Sequence, residues 1–155
     1  MYLASAVLDG RSGHEVGWEL LAQLYDTHVG GPLPEIRREA MGKPYFHHSP
    51  WHFSISHTKR HAFCVLGDRP VGLDAEEMNR KVNLSIAPKI LSDAELTQFA
   101  AAEDPWRALL TFWVLKEAQA KLTGEGVKWH PTHTNFELTD DRVQEIDHCL
   151  VAVIY

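Results

Sequence analysis

The feature that most constrains this chain is one long helical stretch between Asp104 and Gly124. Asp104-Pro105 reads as an N-cap followed by a first-turn proline, whose missing amide hydrogen costs the helix nothing. Gly124 provides the stop. Between them the pattern predicts a helix from Trp106 to Leu122. With an advance of about 100° per residue, Trp113, Glu117 and Lys121 fall within an arc of about 80°. Val114, Ala118 and Leu122 form an adjacent apolar stripe. Any fold built around this helix buries one flank and holds a carboxylate and an ammonium, one turn apart, beside it. In isolation the pair reads equally as a solvated i,i+4 ion pair contributing about 0.2–0.5 kcal/mol.

The remaining chain alternates short strands with helices. Tyr2 to Leu8 reads as a strand, and Val16, Leu20, Leu21, Leu24 and Tyr25 recur at the spacing of a helix over His14–His28. Ile36 to Ala40 is extended, and Gly42-Lys43-Pro44 breaks it. A meander is expected next. In Trp51–Ser56, Phe53 and Ile55 face one side and Ser54 and Ser56 the other; His61–Leu66 returns, and Val71–Asp74 forms a short third strand. Ser92-Asp93-Ala94-Glu95 is a capping box that opens a helix reaching Ala102. Asn135–Leu138 and Arg142–Ile146 read as a hairpin around Asp140-Asp141, and Cys149–Tyr155 as a closing strand. The fold class is α+β, an antiparallel sheet packed with helices.

Composition narrows the function. A net charge of −6 on 155 residues argues against a nucleic-acid binder. No apolar run approaches the roughly 18 residues that span a bilayer, so no membrane association is expected. The N-terminus lacks the basic region of a signal peptide, which favours the cytoplasm. Cys64 and Cys149 lie in apolar runs and are expected to be buried free thiols.

Three groups of residues suggest chemistry. Asp74 and Glu76 share one strand face and could hold a hard cation such as Mg²⁺, or simply form a polar strand exit; Glu77 points away. Ser56 and His57 face opposite sides of a strand, which disfavours a nucleophile–base pair. His57 with Lys43 suits a phosphate, through charge-assisted hydrogen bonds.

The order of these segments is more specific than any one of them. Gly42-Lys43-Pro44 precedes Phe53-Ser54-Ile55-Ser56-His57-Thr58, then Val71-Gly72-Leu73-Asp74-Ala75-Glu76, then Trp113-Val114-Leu115-Lys116-Glu117-Ala118-Gln119-Ala120-Lys121. The series resembles the 4′-phosphopantetheinyl transferase superfamily, whose members carry GKP, SxSH, (V/I)G(I/V/L)DxE and WxxKEAxxK segments in that order. Lys121 to Val127 also matches the family's continuation.

The resemblance implies a single domain over 1–155 made of two pseudo-related halves. The first, about 1–70, is shortened; the second, about 71–155, carries the DxE and KEAxxK motifs. It implies Mg²⁺ held by Asp74, Glu76 and Glu117 against the diphosphate of coenzyme A, with Lys121 on that diphosphate. By the same resemblance His57 sits at the 3′-phosphate with Ser56 beside it, Lys43 contacts the coenzyme, and Lys116 is a further cofactor-binding residue. Glu95 resembles a glutamate that acts as general base in part of the family; it is equally the capping-box partner of Ser92. The implied reaction moves phosphopantetheine onto a serine of an acyl or peptidyl carrier protein. The carrier's acidic surroundings would face Arg37, Arg38, Lys59, Arg60 and Lys89.

The DxE segment lies far from the N-terminus, which sets the chain with surfactin-type (Sfp-type) members rather than the compact trimeric subgroup. A monomer is expected, with a small oligomer as the alternative. The family's basic stretch for the adenine end is cut down to Leu8–Gly17, leaving Arg11. A degenerate coenzyme- or carrier-binding module and a Mg²⁺-dependent diphosphate hydrolase are the competing functions.

Overall fold

The computed structural model describes residues 1–125 and 130–155, so Gly126 and Val127 of the family-like continuation lie outside it. Two inner strands set the layering. Strand β5 (His61–Gly67) turns Ala62, Cys64 and Leu66 to one side and Phe63 and Val65 to the other, all fully buried. Strand β8 (Cys149–Ile154) does the same, with Leu150, Ala152 and Ile154 on one side and Cys149 and Val151 on the other. Apolar residues on both faces mean that both faces are covered. Phe63 and Val65 meet Cys149 and Val151 in a central apolar layer with Val71, Leu73 and Ala75. Helix α1 (Gly13–His28) covers the outer face of β5 with Val16, Leu20, Leu21 and Leu24. Helix α4 (Pro105–Thr123) covers the outer face of β8 with Leu109, Phe112, Leu115 and Ala118. The protein is thus α+β, in the order helix, sheet, sheet, helix.

Both three-stranded sheets are antiparallel. The first has β5 between β1 (Tyr2–Val7) and β4 (His52–His57), with Cys64 opposite both Ala4 and Ile55. The second has β8 between β6 (Gly72–Glu77) and β7 (Val143–Ile146), with Ala152 opposite both Asp74 and Val143. A two-stranded ribbon, β2 (Ile36–Arg38) with β3 (Pro44–Phe46), and the short helices α2 (Ala87–Ile90) and α3 (Asp93–Ala101) complete the elements used below. Cys64 and Cys149 are free and buried.

Two expectations from the sequence are corrected. The third strand does not extend a meander: β6 leaves the sheet of β4 and β5 and pairs with β8. The late hairpin turns through Asp147-His148, with φ of 50° and 59°, not around Asp140-Asp141, and Asn135–Leu138 is not a strand. A two-residue turn of this kind needs positive φ at both positions, which glycine or asparagine usually advertises. An Asp-His pair gives a weaker signal, since both residues tolerate positive φ without demanding it, and Asp140 instead ties down the Arg142 guanidinium at 2.6 Å.

The two sheets meet where β4 runs beside β6. Ser54 Oγ accepts the Leu73 amide at 3.0 Å, and Ser56 Oγ accepts the Ala75 amide at 3.3 Å. The serine face of β4 thereby satisfies amides on the free edge of β6, which would otherwise lie buried without acceptors.

Helix α4 lies so close to β6 that Gly72 cannot carry a side chain. A Cβ there would stand 2.5 Å from the Leu122 nitrogen and closer still to the Ala118 carbonyl oxygen. Both are backbone atoms, so no rotamer change relieves the overlap. Gly72→Ala is expected to lower stability by about 2–3 kcal/mol, as overpacking a tight core does. Urea unfolding measures this, with Gly67→Ala as control, where the nearest atoms would stand at 3.6 and 3.7 Å. Equal unfolding midpoints for the two variants would refute the close approach.

Candidate active site

The approach at Gly72 also aligns chemistry. Packing the Ala118–Leu122 turn of α4 onto the start of β6 brings Lys121 over Asp74, two residues further along the strand. Lys121 Nζ donates to Asp74 Oδ1 at 2.7 Å and to Ser56 Oγ at 3.0 Å. Ser56 Oγ donates to the same Asp74 oxygen at 3.0 Å. Asp74 Oδ2 is buried and has no hydrogen-bond partner among the described residues. Burial, and next the negative charge of Asp74, push the Glu117 carboxyl above the ordinary carboxylate range, against the pull of Lys121 and Arg80. Asp74, Glu117, Lys121 and Ser56 thus share one centre.

Glu76 shares a strand face with Asp74, as the i,i+2 spacing requires, yet it pairs with Arg80. The Arg80 guanidinium in turn lies over the Trp113 ring, 5.4 Å from its centroid. Among the described residues no three His, Cys, Asp or Glu side chains converge as a ready-made metal cage. Of the three expected metal ligands, two lie within electrostatic reach of each other and the third is turned to an arginine.

A cleft of about 460 Å³ opens from this centre, bounded by Glu117 and Lys121 of α4, His57 of β4, His14 and Trp18 of α1, and Lys43 of the β2–β3 ribbon. The His57 ring lies against Gly13, where a Cβ would fall 2.6 Å from the ring carbon Cγ. That puts the imidazole at the N-terminus of α1, whose free amides and dipole favour an anion. Lys43 Nζ donates to the Leu122 carbonyl at 2.7 Å, at the C-terminal end of α4. Burial pushes this amine down, with Glu39 opposing. The cleft is therefore acidic at its floor and basic along its walls, a match for a phosphate chain accompanied by a cation.

Residues 70–150 match the model of the 4′-phosphopantetheinyl transferase superfamily. The chain belongs to this superfamily. Its curated relatives include the 4′-phosphopantetheinyl transferase psf-1 of Bacillus pumilus, 32% identical over 117 residues, 71% of this chain and 49% of the relative. The 4′-phosphopantetheinyl transferase of Bacillus subtilis is 30% identical over 103 residues, 64% of this chain and 46% of the relative. The chain spans about half the length of these curated relatives. A crystal structure of Thermotoga maritima holo-(acyl-carrier-protein) synthase overlaps 54% of this chain and 60% of its own, with a TM-score of 0.46 and 22% identity. The matched segment of this superfamily member takes in Asp74, Glu76, Glu117 and Lys121, while Lys43, Ser56 and His57 precede it.

Two expected site residues lie elsewhere. Glu95 is fully buried at the start of α3; its Oε2 accepts the Ser92 amide at 2.8 Å and the Lys116 ammonium at 2.8 Å, and its Oε1 accepts the Phe136 amide at 2.9 Å. The capping-box reading of Glu95 is therefore the one the geometry shows, and with no exposed surface the carboxylate lies outside the cleft. Lys116 is equally buried and does not line the cleft. Besides Glu95 it holds the Pro131 and Thr134 carbonyls at 2.5 and 2.8 Å, tying the segment after α4 back to the helix. Its position could have been read from periodicity, because Leu109, Phe112 and Lys116 recur on one buried face.

Of the basic side chains expected to meet a carrier, Arg37 is paired with Glu35 at 2.9 Å and Arg60 with Glu77 at 3.4 Å. Arg38 lines the cleft and donates to the Gly42 carbonyl at 2.9 Å. Arg11 is paired with Glu19. Sequence reasoning missed Arg80, His14 and Trp18. For Trp18 the signal was an indole on α1 outside the apolar row of Val16, Leu20 and Leu24.

Proposed function

We propose that the protein transfers the 4′-phosphopantetheine arm of coenzyme A to a serine of an acyl or peptidyl carrier protein, releasing 3′,5′-ADP, and that it requires Mg²⁺. One observation carries the reading: Lys121 and Glu117 line the floor of a cleft whose walls hold Lys43 and His57, and the buried Asp74 carboxylate lies directly beneath, bonded to Lys121. The donor set fits a hard divalent cation. A buried carboxylate oxygen of Asp74 has no partner among the described residues, and the neighbouring Glu117 carboxyl is raised by burial and then by the negative charge of Asp74. Asp74 and Glu117 would hold the ion, with Glu76 available if it leaves Arg80. Once bound, the ion supplies charge neutralisation for a diphosphate leaving group.

The chain's own residues supply position and charge. Lys121, held by Asp74 and Ser56, points an ammonium at the place where negative charge builds on the departing phosphate. His57 at the start of α1 suits the 3′-phosphate, and Lys43 suits a second phosphate contact further up the cleft. Little covalent work falls to the protein in such a transfer. The same reading places the enzyme in the cytoplasm, where coenzyme A and carrier proteins meet, and as a monomer.

The test is incubation with coenzyme A, Mg²⁺ and a panel of apo-carrier proteins, following carrier mass. Gain of one phosphopantetheine per carrier, abolished by chelator, is the expected result. Coenzyme cleavage without carrier labelling would make the protein a diphosphate hydrolase. Coenzyme binding with neither outcome would make it a degenerate module.

A further inference from the structure

We infer that Trp18, seated by His14, forms the wall on which the purine base of a nucleotide stacks, so that coenzyme A is gripped at its adenine end by an aromatic face. The inference deepens the reading of the cleft as a coenzyme site and rests on it. His14 and Trp18 stand one turn apart on α1, and both line the cleft. Trp18 Nε1 donates to His14 Nε2 at 3.0 Å, and the two rings meet edge to face with centroids 5.8 Å apart. Behind the indole, Phe53 meets it at 5.7 Å and 64°, so its orientation is fixed from two sides. Trp18 nevertheless remains only partly buried, which leaves ring surface facing the cleft.

The indole N–H is a donor only, so His14 Nε2 must accept. That assigns the neutral imidazole's proton to Nδ1, which remains able to donate to a ligand. Across the cleft, the β2–β3 ribbon contributes Met41 and Pro44. Met41 is exposed, and a thioether is a soft, polarisable partner for a π system. An aromatic wall beside phosphate-binding groups is the chemistry that holds nucleotides, because every base offers a π face. Arg11, the basic residue within Leu8–Gly17, is already paired with Glu19 and does not line the cleft, so what α1 itself offers there is the indole face of Trp18 beside His14.

The test uses the whole chain and two probes, coenzyme A and adenosine 3′,5′-bisphosphate, titrated calorimetrically and by tryptophan fluorescence. Trp18→Leu should weaken both by about tenfold or more, while Trp18→Phe, which keeps a stacking face, stays within about threefold of the parent. Saturable quenching of fluorescence by the bisphosphate should be present in the parent and lost in Trp18→Phe, although that variant still binds. His14→Leu, at an exposed position that does not threaten folding, should weaken the bisphosphate about threefold or more through loss of the polar partner. If the parent binds both probes and Trp18→Leu binds them equally well, the stacking wall is wrong and the transferase reading stands. The wall is equally wrong if Trp18→Phe loses as much affinity as Trp18→Leu. If the parent binds neither probe, the coenzyme reading itself fails and the inference with it.

Discussion

Asp74→Asn should reduce phosphopantetheine transfer by about 10²–10³-fold or more, the range seen when one preorganised charge-stabilising group is removed from an active site. Asparagine keeps the shape and one acceptor, so Lys121 and Ser56 can still find an oxygen. It removes the charge that draws Lys121 inward and the unpartnered oxygen suited to a cation. Glu117→Gln should act in the same way, and the double variant should fall well short of the product of the single losses, because the two groups act on one centre.

Stability should move differently. The native Glu117 carboxyl titrates above its unfolded value, so the native state holds the extra proton across that window. Stability is then present at low pH and declines as pH rises through the raised value. Asp74→Asn removes the second largest cause of the raise, after burial, and should flatten that decline. Urea midpoints at about pH 5 and about pH 7.5 measure the slope. Carrier mass measures the transfer. Near-normal turnover by Asp74→Asn would dissolve the assignment of this carboxylate pair.

How far the site could be read in advance depended on whether a residue's neighbours were local. Glu117 and Lys121 were placed on one helix face by spacing alone, and Asp74 with Glu76 by strand alternation; both relations hold. Their meeting was not derivable from either element. It depends on Gly72 letting α4 down onto β6, a contact between segments more than forty residues apart in the chain. The serine face of β4 was legible as a polar face, yet its purpose, closing the edge of β6, required knowing that β6 leaves the meander. Local signals sufficed for the long helix, with Asp104 accepting the Arg107 amide and Gly124 in the left-handed region, and for the capping box of α3. They failed where a charged side chain turned inward. Lys116 was expected at the coenzyme through the family resemblance; helical periodicity marks its position as buried, and its partners from two separate segments explain how a charge is held there.

That buried pair carries the largest expected effect on stability. Glu95→Ala should cost about 3–5 kcal/mol, because removing one member of a buried ion pair leaves the other uncompensated. Burial already pushes the Lys116 amine down, and the Glu95 hydrogen bond is the largest effect opposing it. Without the carboxylate, the Lys116 ammonium keeps two carbonyls and the nearby Phe136 ring but no counter-charge among the described residues, and the Ser92 and Phe136 amides lose their acceptors. Glu95→Gln retains a carbonyl for one of those amides and should cost less. It also separates the two roles this residue could have had. A general base contributes about 10²–10⁴-fold. A buried clamp contributes nothing once the molecule is folded, so transfer per folded Glu95→Gln molecule should stay within severalfold of the parent. Replacing both members, as in Glu95→Leu with Lys116→Met, should recover part of the stability lost by Glu95→Ala, since apolar pairs often substitute for buried ions at little net cost. A urea midpoint for Glu95→Ala equal to the parent's, or a hundredfold loss of turnover in folded Glu95→Gln, would return this glutamate to the chemistry.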